Sequence, residues 1–238
     1  MKCLVCIPSK GRPENIGKYT IPFMQRLKLD YKIFIEPQEY AKYSKYPNVI
    51  QHKNDNIGLG GALLSCKNYA EQNNYDVIFK IDDDVNGVGD IENDLDKISK
   101  AMSIPQVSAI CFPYDFEFYA KTSKMFTREN KRLQTAYFIK VNKYRPSAQV
   151  STFEDFFQFM QIVLNGEKTL YCSKHQIKCA PVGGGSGGLQ LFDRSVMAKK
   201  EIQIFKTFDS TIEIVSKPDK PWKYEPKFTD KKYKSKPI

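Results

Sequence analysis

The sequence predicts an α/β fold in which helices flank a mostly parallel central sheet. Three observations predict it. Short runs of β-branched and aromatic residues alternate with helix-period segments through the first half of the chain. Loops rich in Gly, Pro and Asn follow several of those runs, at the strand ends where open parallel sheets bind ligands. One run, Val77 to Ile81, ends in three consecutive aspartates, Asp82, Asp83 and Asp84.

The elements follow in order. A strand is expected at 3–8 and a helix at 15–29, with Pro22 marking a break or a restart inside it. A second strand spans 31–36, a short helix 38–45 and a short strand 48–52. The helix at 60–73 carries Ala62, Leu63, Cys66, Tyr69 and Ala70 at helical spacing. A strand at 76–82 precedes a helix at 90–102, whose Ile91, Leu95, Ile98 and Met102 share one face, and a strand at 107–112. Beyond this point regularity falls to a strand at 135–142, a helix at 154–164 and a strand or strand pair at 169–179. The glycine run 183–188 reads either as a mobile substrate-side loop or as a flexible linker. Pro218, Pro221, Pro226 and Pro237 punctuate the end of the chain, which is expected to lie on the surface without regular structure.

Composition narrows the class. The chain has 238 residues, enough for one substantial domain, and an ordinary hydrophobic fraction of 41%. No apolar run is long enough to span a membrane, and the apolar stretch near Met1 is too short for a secretory signal. A cytoplasmic protein without membrane insertion is expected. Cys3 and Cys6 lie among Leu, Val and Ile, with no second such pair to complete a zinc site, so the cysteines read as free structural thiols. The net charge is +10 and uneven: segment 121–145 has eight Lys or Arg against one acid, and segment 217–238 has eight Lys against three acids. Aromatics are interleaved in both, a pattern that suits nucleic acid and equally describes a soluble lysine-rich surface.

The chemistry is concentrated at the strand ends. Three adjacent carboxylates repel one another, and a divalent cation such as magnesium or manganese relieves the repulsion while holding a diphosphate. The other reading of the triplet is a solvated acidic turn. After the first strand, Ser9, Lys10 and Arg12 offer donors to a nucleotide; after the second, Glu36 offers an acceptor to a ribose or base, or simply caps a helix. Asn56-Ile57-Gly58-Leu59-Gly60-Gly61 opens the helix that carries Lys67, and such glycines let N–H groups approach an anion.

On these residues the chain resembles nucleotide-sugar-dependent glycosyltransferases of the GT-A fold. The resemblance rests on Ile7-Pro8-Ser9-Lys10-Gly11-Arg12-Pro13, on Glu36-Pro37-Gln38-Glu39, on Asn56-Ile57-Gly58 with the helix to Asn68, and on the Asp-x-Asp at 82–84. It covers the first half well and the second loosely. Within the fold the chain is most similar to the small phage-type enzymes that glycosylate modified bases in DNA. The resemblance implies a Rossmann-like domain at 1–215, with a nucleotide-sugar half at 1–112 and an acceptor half at 113–215, followed by a basic tail at 216–238. It implies a UDP-sugar donor, Mn2+ or Mg2+, duplex DNA carrying modified bases as acceptor, and, for a phage protein, the host cytoplasm. Asp82 and Asp84 would contact metal and ribose, with Asp83 beside them. Pro8, Ser9 and Arg12 would line the nucleotide, Glu36 would contact base or ribose, and Gly58 and Lys67 would face the diphosphate. Gly187 and Gly188 would belong to the acceptor side. The fold often closes its metal site with a late histidine, whereas this chain has His52 and His175, neither of them late.

An acceptor hydroxyl must also lose a proton, and a carboxylate takes it. The expected pair is Glu154 and Asp155 at the start of a helix, with Asp155 as the base and Glu154 beside it. Ser151 or Thr152 with an acid three residues later equally forms a capping box. Asp115 and Glu117 are reserve acids. Two further classes remain open: a transferase acting on a protein, lipid or glycan acceptor, and a nucleic-acid-binding module without transferase activity. A nucleotidylyltransferase shares the layout but would carry a glycine-rich N-terminal signature that is not seen here.

Overall fold

The computed structural model describes residues 1–115, 123–179, 194–220, 223–229 and 233–238. Strand β1 (Cys3–Pro8) leads to α1 (Pro13–Asn15), a π turn at Ile16–Thr20 and α2 (Ile21–Leu27). Pro22 explains the interruption: it has no N–H to close an α turn, so the ladder widens just before it, with Ile21 N–H bonding to the Ile16 carbonyl. There follow β2 (Asp30–Ile35), α3 (Tyr40–Tyr43), β3 (Val49–Gln51), α4 (Gly58–Gln72), β4 (Val77–Lys80), β5 (Val85–Val88), α5 (Leu95–Ser103) and β6 (Val107–Cys111). The second half holds β7 (Phe126–Glu129), β8 (Tyr137–Lys140), α6 (Glu154–Leu164), β9 (Lys168–Cys172), β10 (Ile177–Cys179), α7 (Arg194–Phe208), β11 (Ile212–Ser216), β12 (Tyr224–Phe228) and β13 (Lys236–Pro237).

Nine strands form the central sheet in the order β13-β7-β9-β6-β8-β4-β1-β2-β3. The β3-β2-β1-β4 half is parallel throughout; β8 and β7 run against the rest of the sheet. The sheet is therefore mostly parallel, as expected, with its antiparallel members in the second half. Alternation along β1 sends Leu4 and Cys6 to one face and Val5 and Ile7 to the other. Helices α4, α6 and α7 cover the first face, and α2 and α5 the second. Burying both faces explains why β1, β4 and β6 read as near-continuous apolar runs.

The end of the chain differs from expectation. Instead of an irregular tail, β11 and β12 pair as an antiparallel hairpin and β13 extends the main sheet by pairing with β7. Pro226 and Phe228 are buried on alternate positions of β12, and the Phe228 ring stacks on Phe156 at 5.2 Å. The prolines concealed that alternation, and an edge hairpin tolerates a residue without an N–H. All six cysteines are free thiols, with Cys6, Cys66, Cys111 and Cys172 buried. Among the described residues no helix is long and apolar enough to cross a membrane.

Candidate functional site

The parallel strands β3, β2, β1 and β4 bring their carboxyl ends to one edge, so that Ser9, Glu36, His52 and Asp82 follow neighbouring strands there. Pro8 closes β1, buried and in register with Phe34 of β2.

The aspartate triplet divides between inside and outside. Asp83 is fully buried. Its Oδ2 accepts from Ser9 Oγ at 2.5 Å, and its Oδ1 lies 2.6 Å from Arg12 Nη2. Ser9 Oγ also meets Tyr43 OH at 2.7 Å, which in turn accepts from the Arg12 backbone N–H at 3.0 Å. Burial pushes the Asp83 pKa up to about 7, against the pull of Arg12 and Ser9. Asp82 and Asp84 stay about a third exposed, at 32% and 30%. The Asp84 carboxyl is held above its ordinary range by burial and by the Asp82 charge.

Behind Asp82 stands a lysine in the core. Lys80 is 1% exposed, and its ammonium lies 2.5 Å from Asp82 Oδ1, 3.3 Å from the Thr135 carbonyl and 3.8 Å from Glu154 Oε1. Burial works to lower its pKa; Asp82 and Glu154 outweigh that and keep it charged. A lysine inside Val77-Ile78-Phe79-Lys80-Ile81 was a signal in the sequence, since a buried ammonium needs partners.

The structure separates the two acids at the start of α6. Both oxygens of Asp155 accept from Arg132, at 2.7 Å from Nε and 2.7 Å from Nη2, and Oδ1 also accepts from the Phe156 N–H at 2.8 Å. Among the described residues the ion pair of Glu154 is the one with Lys80, at 3.8 Å. Burial, then the adjacent Asp155 charge, raise the Glu154 pKa well above the carboxylate range. Nothing in the basic run 121–145 distinguished Arg132 from its neighbours. One cavity of about 410 Å³ has Lys80, Asp82, Arg132, Glu154, Asp155 and Arg194 in its wall.

A second polar group sits beside the triplet. Lys10 Nζ lies 2.8 Å from Glu36 Oε2 and 3.3 Å from Asn56 Oδ1, and Gln38 Nε2 donates to Glu36 Oε2 at 2.8 Å. Burial would raise the Glu36 pKa; Lys10, the Asn56 N–H and Gln38 bring it below the ordinary value.

The glycines that open α4 serve two ends. Gly58 has φ +64°, which favours glycine. Gly60 presses on protein backbone: a Cβ there would lie 2.1 Å from the Val150 carbonyl oxygen, and its N–H donates to Ser151 Oγ at 3.2 Å. Lys67 pairs with Glu71 one turn along α4, at 2.6 Å. His175 Nε2 lies 2.9 Å from Asp94, and His52 stacks on Phe34. Asp115 is exposed. Gly187, Gly188 and Glu117 lie outside the described residues.

Asp82 and Asp84 suit a hard divalent cation. Oxygen donors two residues apart match magnesium or manganese, which bind through one or two carboxylates and complete their shell with water and substrate phosphate. The upward pressure of Asp82 on the Asp84 pKa is the repulsion that such a cation relieves. Among the described residues no group of three His, Cys, Asp or Glu gathers to hold a metal by protein alone.

Neither a protein-family model nor a curated protein matches the chain. Solved structures do. A197 from STIV matches with a TM-score of 0.50 and 18% identity, covering 76% of this chain and 86% of that one. S. aureus TarS 1-349 matches with a TM-score of 0.50 and 14% identity, covering 84% of this chain and 65% of that one, so the chain spans just under two thirds of its length. A Bacillus anthracis structure described as a glucose-1-phosphate thymidylyltransferase has a TM-score of 0.48 and 11% identity, covering 72% of this chain and 85% of that one. What the first two likenesses show is the fold.

Proposed function

We propose that this protein is a nucleotide-sugar-dependent glycosyltransferase that uses a divalent cation and acts on a hydroxyl of a modified base in duplex DNA. One observation carries the transferase reading: a single cavity joins Asp82, at the donor end of β4, to Glu154, a part-buried acid of raised pKa at the start of α6. In the reaction the bond between the sugar anomeric carbon and the diphosphate oxygen breaks, and the acceptor oxygen bonds to that carbon. Glu154 takes the proton from the acceptor hydroxyl. Asp82 and Asp84 would hold a divalent cation, whose positive charge would stabilise the departing diphosphate. Lys80 orients Asp82, and Arg12 holds Asp83 inside so that the triplet presents two carboxylates rather than three. Arg132 fixes Asp155, which positions its neighbour Glu154. Preorganised charge of this kind, in a partly closed cavity, acts on the transition state without reorganising.

The DNA acceptor draws support from charge. The chain carries +10 overall, and the turn between β11 and β12 holds Lys217, Lys220 and Lys223. Glu225, on β12, is part of the wall of the same cavity.

The test is to incubate the protein with duplex DNA, with and without hydroxymethylated bases, a panel of UDP-sugars and Mn2+, and to analyse the nucleosides by mass spectrometry. A mass gain of one sugar on the modified nucleoside is expected, lost on chelation and restored by Mn2+. UDP release with a protein, lipid or glycan acceptor and none with DNA would replace the acceptor. Pyrophosphate release from a nucleoside triphosphate and a sugar phosphate would replace the reaction class.

A further inference from the structure

The turn that precedes α6 is fastened by a carboxylate of α7, which packs on the same face of the sheet as α6. Glu201 lies on α7, on the buried stripe that it shares with Ala198, Ile202 and Phe205, and it is 2% exposed. Its Oε1 accepts from the backbone N–H groups of Ser151 and Thr152, both at 2.8 Å. Its Oε2 accepts from Thr152 at 3.0 Å and from Phe153 at 2.9 Å. Three successive N–H groups around one carboxylate form an anion nest at a helix start. Burial works against the Glu201 charge, and the N–H groups of Ser151, Thr152 and Phe153 work for it. An apolar residue would fill the same helix contact without the cost of desolvating a carboxylate. The acid is explained by what it holds.

What it holds is the approach to the two acids. Ser151, Thr152 and Phe153 lead directly into Glu154 and Asp155. On its opposite flank the same turn meets α4, where Ser151 Oγ accepts from the Gly60 N–H and Val150 leaves no room for a Cβ. The turn is thus clamped between the first turn of α4 and Glu201 of α7.

We propose that Glu201 is a positioning residue: by binding the N–H groups of Ser151 to Phe153 it sets Glu154 against Asp82 across the cavity. The proposal rests on the transfer reaction proposed above. It does not place Glu201 in contact with substrate.

The full-length protein with Glu201→Gln, and separately with Glu201→Asp, decides the matter through two readouts. Gln keeps one acceptor oxygen but puts an NH2 among N–H donors. In Glu201→Gln, amide exchange at Ser151, Thr152 and Phe153 is expected to accelerate at least tenfold, with β4 and β6 unchanged. Its kcat is expected to fall about 10- to 100-fold, the scale of a small misplacement of a reacting group. Donor KM stays within about twofold, because Ser9, Arg12 and Asp82 to Asp84 stand on other elements. Glu201→Asp, which keeps the charge and both oxygens, falls between. Unchanged exchange at 151–153 overturns the proposal. So does a wild-type kcat alongside faster exchange, or a parallel loss of kcat, donor binding and melting temperature. If the wild-type protein transfers no sugar from any donor, the transfer reading fails. Exchange at 151–153 then still decides whether Glu201 holds the turn.

Discussion

Arg132 grips Asp155 through both carboxylate oxygens, at 2.7 Å each, while the adjacent Glu154 lies 3.8 Å from the Lys80 ammonium. Neighbouring acids on one helix therefore differ in chemistry. A general base needs a free lone pair directed at the proton it takes, and the bidentate guanidinium together with the Phe156 N–H fills three of the roughly four acceptor positions of Asp155. The sequence leads to Asp155 as the expected base with Glu154 beside it; the two-oxygen hold of Arg132 on Asp155 is why the base proposed above is Glu154.

Glu154→Gln is accordingly expected to lower kcat by about 100-fold or more, the usual contribution of general-base catalysis. Asp155→Asn should cost less in kcat and more in thermal stability, since it removes one charged oxygen from a bidentate, part-buried pair with Arg132. The base must be ionised to act, and burial raises the Glu154 pKa, so kcat/KM should rise with pH through a limb displaced above the ordinary carboxylate range. That limb should vanish in Glu154→Gln. A larger kcat loss from Asp155→Asn, with the fold intact, would reverse the assignment.

Much of this site was legible from residue order. The strand that ends in Asp82, the loop of Ser9 and Arg12 and the helix that opens at Gly58 all follow from local pattern, and parallel topology gathers them. The inward turn of Asp83 was not legible, because it depends on Arg12 and Tyr43 from distant segments. Helix α7 was missed because its buried stripe includes Glu201, and a charged residue breaks an apolar period. Strand β7 was missed for a related reason: Phe126-Thr127-Arg128-Glu129 is half polar and becomes a strand by pairing with β9 and β13. Tertiary partners, absent from any local window, decided each of these.

His52 supplies a test of the strand edge through pH. Its ring is 6% exposed and stacked on Phe34, and burial lowers its pKa to about 4, against a weak opposing pull from Glu36. The unfolded chain has an imidazole of pKa about 6.5. Between those values the unfolded state binds the extra proton, so the stabilising contribution is full above pH 6.5 and is lost as pH falls towards 4. Urea unfolding at pH 7 and pH 4.5 should show wild type losing more stability than His52→Phe over that interval. Equal losses in the two proteins would mean that the histidine is not held neutral.

The hairpin at the chain's end changes how a DNA contact has to be tested. Deleting everything from Lys217 would remove Phe228 from the core along with the charges. Lys217→Ala, Lys220→Ala and Lys223→Ala together, all in the turn between β11 and β12, leave the packing alone. The triple variant should bind duplex DNA more weakly, and the slope of log affinity against log salt should flatten by about 0.9 for each phosphate that a lysine no longer neutralises. Melting temperature should not change. An unaltered slope would place the DNA-binding surface away from this turn.

Gly60 is where α4 touches the turn before α6, and it has no space for a side chain. A Cβ would lie 2.1 Å from the Val150 carbonyl oxygen and 2.2 Å from that of Ser147, both backbone atoms that cannot rotate away. Gly60→Ala must push α4 off the turn or bend the turn itself, which is fastened behind by Glu201. Overpacking of this kind costs about 1–3 kcal/mol. The displacement falls on the Ser151 hydrogen bond and on Glu154 beyond it, so kcat should drop along with stability. Gly61→Ala is the comparison: its Cβ would lie 2.8 Å from the Ile57 Cβ, a shallower overlap that touches neither Val150 nor Ser147, so a smaller loss of both is expected. Denaturant unfolding and steady-state kinetics on the two variants check the pair. Equal effects at the two positions would show that the contact with Val150 has no special part in coupling α4 to the turn before α6.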